Sequence, residues 1–303
     1  MFKRIAMAEL DPAQPGAPPP AYPPAAGIRP RDRARRAATV GRRPSLFWRV
    51  REELPRRWVV ALGAASLVSA ALVWLLLVAT DAAGMFLPSP WRVLTAAVDM
   101  ARGGTLHADT WASVRRVGIG FGIAVVISVP LGLAIGTFRS VSSVFEPVIG
   151  LVRYMPATAF IVLLMIWLGL GEAPKIALVV IGTVFFNTLM VANVVWQVPT
   201  DLIRVAFTLG ATNVGVLTRV IFPYTLPGMI DAARVNLAAA WNLIVVAEMV
   251  AAEEGLGFRI VRAQRFQQID QIFAVLVVIG LLGLASDLAL RTARNRIAPW
   301  SQE

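Results

Sequence analysis

The sequence predicts an all-α, polytopic membrane protein with about six transmembrane helices. Three observations predict it. Of the 303 residues, 57% are hydrophobic and only 16% are charged, whereas about a quarter of a soluble domain is charged. The mean hydropathy is +0.67. The runs 58–80 and 117–138 contain no charged residue, and each is long enough at 1.5 Å per residue to span a ~30 Å hydrocarbon core.

Residues 1–57 come first and are rich in proline, alanine and arginine, as in Pro18-Pro19-Pro20. Between Arg29 and Arg57 stand eleven arginines and three acids. Without a periodic apolar pattern this segment reads as a disordered basic tail. The net charge of +11 sits largely here. Beside a long apolar run, such a tail fits the cytoplasmic flank of a membrane helix, not a nucleic-acid surface. A cleaved signal peptide is not expected, because the first long apolar run starts only at Trp58.

Residues 58–80 form the first predicted span. Residues 81–116 read as an outer loop with an interfacial helix: Pro88-Ser89-Pro90 precedes an amphipathic stretch from Trp91 to Ala101. His107 is expected in solvated loop, and Arg115 and Arg116 as interfacial anchors. The core domain covers 117–290. Its first span, 117–138, carries Gly132 and Gly136, a small-xxx-small pair that allows close helix approach; Pro130 predicts a kink. The next span, 147–170, is interrupted by Arg153 and Pro156. After the turn 169–174 comes the span 175–198, with Asn187 and Asn193. The stretch 199–224 is too polar to cross. The fifth span, 227–252, holds Arg234, Asn236, Asn242 and Glu248, and the sixth covers 270–290. Residues 291–303 form a basic C-terminal tail. An even number of spans puts both termini on one side, and the arginine clusters place that side in the cytoplasm.

Polar residues inside spans face a cavity or other helices. On this ground Asn187, Asn242 and Glu248 are the candidates for a translocation pathway. Glu248 needs a partner or water, and Arg259 or Arg262 are the paired alternatives. Arg234 could attract an anion, but the expectation is that it snorkels to the interface. The chain has no cysteine and one histidine, so thiolate chemistry, disulfides and multi-histidine metal sites are excluded. No nucleophile motif is present. No Gly-x-x-x-x-Gly-Lys-Ser/Thr phosphate loop occurs. The chain is not read as an enzyme, and no cofactor or metal is assigned to it.

The segment 199–224 is the most informative. Thr200 or Asp201 caps a short helix, Gly210 ends it in a left-handed turn, and a second short helix runs from Asn213 to Val220 before Pro223. Such a knob can dock into a groove on a partner. Arg204-Val205-Ala206-Phe207-Thr208-Leu209-Gly210-Ala211 and Val220-Ile221-Phe222-Pro223 resemble the Glu-Ala-Ala loop of ATP-binding-cassette importer permeases. The glycine-to-proline spacing, Ala206 and Gly210 match that pattern; Arg204 and Val205 replace its usual Glu and Ala. Over about 86–300 the chain is similar to the nitrate, sulfonate, taurine and bicarbonate permeases, in Leu87-Pro88-Ser89-Pro90, Arg116-Val117-x-x-Gly120-Phe121, Pro130-Leu131-Gly132, Arg153-Tyr154-Met155-Pro156, Ala247-Glu248-Met249 and Gly255-Leu256-Gly257-Phe258-Arg259.

The resemblance implies a type I importer permease fold in a cell (inner) membrane. It implies a second permease copy, two cytoplasmic ATPases carrying ATP and magnesium, and an extracytoplasmic solute-binding protein that delivers a small anionic solute. Arg204, Val205, Ala206, Thr208, Leu209, Gly210, Ala211 and Pro223 are then the ATPase-coupling residues. Two other classes make different demands on the sequence. A secondary transporter working without an ATPase predicts internal repeats and intramembrane ionisable pairs. A membrane-embedded enzyme needs a His, Cys or acidic cluster.

Overall fold

The computed structural model describes residues 54–80 and 86–301. The predicted disordered tail therefore lies, but for its last residues, outside the described chain. Among the described residues all regular structure is helical: α1 (Arg56–Ala79), α2 (Pro90–Arg102), α3 (Thr105–Thr137), α4 (Arg139–Val152), α5 (Phe160–Leu168), α6 (Glu172–Trp196), α7 (Thr200–Thr208), α8 (Asn213–Val216), α9 (Phe222–Ala251), α10 (Leu256–Arg265) and α11 (Ile269–Ile297). The chain divides at Ala70 into two units, the described part of the first being the N-terminal two-thirds of α1. The second unit, from Ala71, holds everything discussed below.

Among the described residues five helices are long and apolar enough to cross a membrane, and α4 with α5 passes the same test together as a pair bent by 71° at its break. Helix packing settles how that bent pair counts. Gly120 of α3 abuts Val179 of α6, Gly132 abuts Val191, and Gly136 abuts Val195. The contacts advance in step, so α3 and α6 run parallel. The bent pair must carry the chain back to the starting end, which makes it one crossing. Helix α9 runs the other way along α6, with Gly228 against Val194 and Gly182 against Leu243.

The glycines explain the closeness of α3 and α6. A Cβ at Gly132 would lie 2.6 Å from the Thr188 carbonyl oxygen, and one at Gly136 2.5 Å from Val195 Cβ. Without side chains at these positions the two backbones approach, which is how helices associate where lipid removes the hydrophobic drive. Leu178, Val179, Ala240, Ile244 and Ala247 form the main apolar core between α6 and α9.

Several boundaries differ from the sequence expectation. Helix α3 begins at Thr105, not at Val117, because Asp109, Arg115 and Arg116 end an apolar run without ending a helix. His107 accordingly sits on the first turn of α3, exposed, and not in a loop. Helix α3 continues through Pro130. The amphipathic helix α2 is capped by Ser89 and buries Val93, Ala96 and Met100 against Leu256, Ala274 and Val275. The segment 253–265, between the fifth and sixth predicted spans, contains α10. Helix α11 runs on through Arg291, Arg294 and Arg296 to Ile297.

Candidate functional site

The α7–α8 hairpin sits at the end of the bundle where α3 and α6 finish. Gly210 has φ +85°. The Ala211 N–H donates to the Ala206 carbonyl at 3.0 Å and the Gly210 N–H to the Phe207 carbonyl at 2.9 Å. This is a Schellman ending, with glycine at the left-handed position. Thr208 Oγ1 donates to the Arg204 carbonyl at 3.0 Å. Thr212 caps α8 by accepting the Gly215 N–H at 3.2 Å. A π turn over Leu217–Ile221 precedes α9. Its wider turn, with bonds spanning five residues, makes room for Pro223, whose ring would clash with the carbonyl four residues back.

Helix α7 has two apolar faces. Ile203 and Ala206 pack with Ala211 on Val195, Val198, Val216 and Ile221. On the other face Leu202, Val205 and Leu209, spaced i, i+3, i+7, are exposed, Leu209 at 81%. Arg204 pairs loosely with Asp201 at 3.6 Å and is otherwise solvated. Behind α7 a cavity of about 220 Å³ is lined by Thr137, Phe138, Phe207 and Asn213 among others. The hairpin is thus tied to the bundle by one face and offers an apolar crest with the other.

The opposite end holds a buried polar network. Arg116 is 0% exposed and uses all five of its N–H donors. Nε and Nη2 bind both Glu172 carboxylate oxygens at 2.7 Å, Nη1 binds Glu248 Oε1 at 2.7 Å and the Glu254 carbonyl at 2.9 Å, and Nη2 reaches Glu254 Oε1 at 3.2 Å. Glu248 also accepts from Ser113 Oγ at 2.8 Å and from the Gly257 N–H at 2.9 Å. Ser113 Oγ in turn accepts the Leu256 N–H at 3.0 Å. Asp109 accepts the Gly255 N–H at 2.9 Å and Arg259 Nε at 2.6 Å.

The Gly255-Leu256-Gly257 turn exists for this network. Gly255 has φ +118°, and a Cβ there would fall on the Glu248 carboxyl; a Cβ at Gly257 would strike the Val245 carbonyl. Two expectations are corrected here. Arg116 is not an interfacial anchor, and the partner of Glu248 is Arg116, because Arg259 is taken by Asp109. A third correction lies on α9: Arg234 does not snorkel but binds Asp287 of α11 through two donors at 2.9 Å and Asp231 at 3.1 Å.

The three pathway candidates separate. Asn187 is fully buried, donating to Ser128 Oγ at 2.5 Å and accepting from Asn236 Nδ2 at 3.2 Å, so it ties α3, α6 and α9 together. Glu248 is 1% exposed. Only Asn242 of the three reaches open space. It lines a cavity of about 550 Å³ with Asn236, Met190, Phe186 and, from the α4–α5 break, Arg153 and Tyr154. The lining residues of α6 and α9 come from the central turns of both helices. Broken backbone at membrane depth is tolerated where it is buried in protein or lines a water-filled cavity. Arg116 and Tyr154 stand in motifs of the resemblance, but nothing about those motifs marks a role for either at a site. Arg153 and Pro156 did mark the break.

Among the described residues, no group of three or more His, Asp or Glu side chains is placed to hold a metal. What the fold and these sites define is a multi-pass helical membrane protein, cross-braced at one end by a polar network and carrying an apolar helical hairpin at the other. Residues 128–300 match the binding-protein-dependent transport system inner membrane component family, and the chain belongs to it. It is 37% identical over 229 residues to a probable ABC transporter permease protein of Brucella abortus, covering 76% of this chain and 91% of that one. The taurine transport system permease protein of Escherichia coli is 34% identical, covering 72% and 82%. The nitrate import permease protein of Synechocystis is 28% identical, covering 77% and 87%. An inward-facing structure of the MetNI methionine ABC transporter shares the fold, with a TM-score of 0.55 at 21% identity over 63% of this chain and 95% of that one. The chain is thus an ABC importer permease of the inner membrane.

Proposed function

We propose that this permease forms the translocation pathway for a small anionic solute of the nitrate, sulfonate, taurine or bicarbonate type. It takes its energy from cytoplasmic ATPases docked on residues 204–223. A second copy of the permease completes the pathway, and an extracytoplasmic binding protein supplies the solute. The termini and the α7–α8 hairpin then face the cytoplasm. One observation carries the coupling: Leu202, Val205 and Leu209 stand exposed on a hairpin whose other face is packed into the bundle. An apolar crest beside charged Asp201 and Arg204, at an aqueous end, calls for a protein partner. Closure of two ATPases would move the crests together and rock the spans between inward- and outward-facing states. The central cavity beside the α4–α5 break is the pathway in this reading, with Asn242 on its wall. Glu248 and Asn187 hold the surrounding helices in place.

One observation favours a secondary transporter: Arg116–Glu248 and Arg234–Asp287 are ionisable pairs within the spans. Arg116–Glu248 is saturated by hydrogen bonds, however, and Arg234 and Asp287 stay partly exposed to their surroundings, whereas a proton-coupled site needs a buried group free to change partners. Co-expression with an ABC ATPase distinguishes the readings. We expect a purified complex whose ATP hydrolysis rises with loaded binding protein in proteoliposomes. Solute uptake by the permease alone, without ATPase, would overturn the proposal.

A further inference from the structure

The central cavity has a one-signed lining. Arg153 is the charged residue among those that border it, and no carboxylate does. Resting on the pathway reading above, we propose that Arg153 is the charge-selecting residue of this permease: its guanidinium draws a small oxyanion to the cavity wall formed by Asn236 and Asn242.

Three observations support this. The arginines braced between helices each have a carboxylate: Arg116 has Glu248, Arg234 has Asp287, Arg259 has Asp109 and Arg294 has Asp231. Arg153 pairs with none among the described residues. Its Nη2 donates to the Tyr154 hydroxyl at 3.0 Å, and its Cζ lies 4.9 Å from the centre of that ring. A lone guanidinium facing the central turns of α6 and α9 is expensive in hydrocarbon and is retained where it faces water. The Tyr154 hydroxyl occupies one of its five donors, which leaves an edge free for bidentate oxyanion binding. The rest of the wall is largely apolar, with Phe160, Phe185, Phe186 and Leu243. Such walls strengthen the field of a single charge.

The absence of cysteine makes the test direct, because Asn242→Cys introduces the sole thiol. Membranes containing the full chain are treated with sulfonatoethyl, trimethylammonioethyl and uncharged methyl methanethiosulfonates. Each modification rate is divided by that reagent's rate on free cysteine. We expect the anionic reagent to outpace the cationic one. Adding Arg153→Gln should lower the anion-to-cation ratio about tenfold, leave the neutral rate unchanged, and be largely avoided by Arg153→Lys. A ratio unmoved by Arg153→Gln, as for a guanidinium serving only lipid phosphate, overturns the assignment while the neutral reaction upholds the pathway. If the neutral reagent fails to modify Asn242→Cys, both the assignment and the pathway reading fall.

Discussion

Arg116 Nη1 lies 2.7 Å from Glu248 Oε1, and neither side chain is exposed. The two residues are 132 positions apart, on antiparallel helices, and Glu172 of α6 closes the same guanidinium from its other edge. Three helices therefore meet on one arginine. A buried pair is weak evidence for net stability, but breaking it strands a charge. Arg116→Met should destabilise the folded chain by about 3–5 kcal/mol. Glu248→Gln should cost less, because Glu172 and Glu254 still hold the arginine. Thermal unfolding in detergent checks this order, and equal losses would contradict it.

The glycines around this network give a second expectation, one of sign. Gly255→Ala meets the Glu248 carboxyl at a positive φ and should cost about 2 kcal/mol or more. Gly280→Ala in α11 meets nothing within 4 Å and should be neutral or stabilise by up to about 1 kcal/mol. The same unfolding measurement reads both.

Close packing of α3 on α6 predicts a graded series. Gly132→Ala brings a Cβ to 2.6 Å of the Thr188 carbonyl, and overpacking of this kind costs about 1–3 kcal/mol. Gly132→Leu should prevent recovery of folded protein. Size-exclusion profiles after solubilisation report the loss, and normal recovery of the leucine variant would refute the parallel packing.

Six crossings predict a labelling pattern. Single cysteines at Leu209 and Trp300 should react with a membrane-impermeant maleimide only in inside-out vesicles, and one at Leu170 only in right-side-out vesicles. Leu209 and Leu170 labelling from the same side would remove the crossing assigned to α6.

The sequence made the crossings legible because each is a long apolar run, and the hairpin legible because Gly210 and Pro223 mark its bend and its end. Gly132 and Gly136 announced a close contact without naming α6 as its other half. The buried network was not legible. Arg115 and Arg116 are adjacent and chemically alike, and only the fold separates them: Arg115 stays exposed while Arg116 turns inward. Arg259 and Arg262 lie nearby in sequence and look like partners of Glu248, whereas α3 supplies the partner. Asn187 and Asn242 illustrate the same limit. Both are asparagines in apolar helices, and which one reaches open space depends on the rotation of each helix in the bundle.

The central claim is that the exposed crest of α7 meets the ATPase. Its most direct test is binding-protein-stimulated ATP hydrolysis by the reconstituted complex carrying Leu209→Asp, a substitution at an exposed position. We expect the variant permease to fold and insert normally, to fail to retain the ATPase through purification, and to lose at least about 90% of stimulated hydrolysis, a loss worth ~1.4 kcal/mol or more of coupling. Full retention of the ATPase with unchanged stimulated hydrolysis would contradict it.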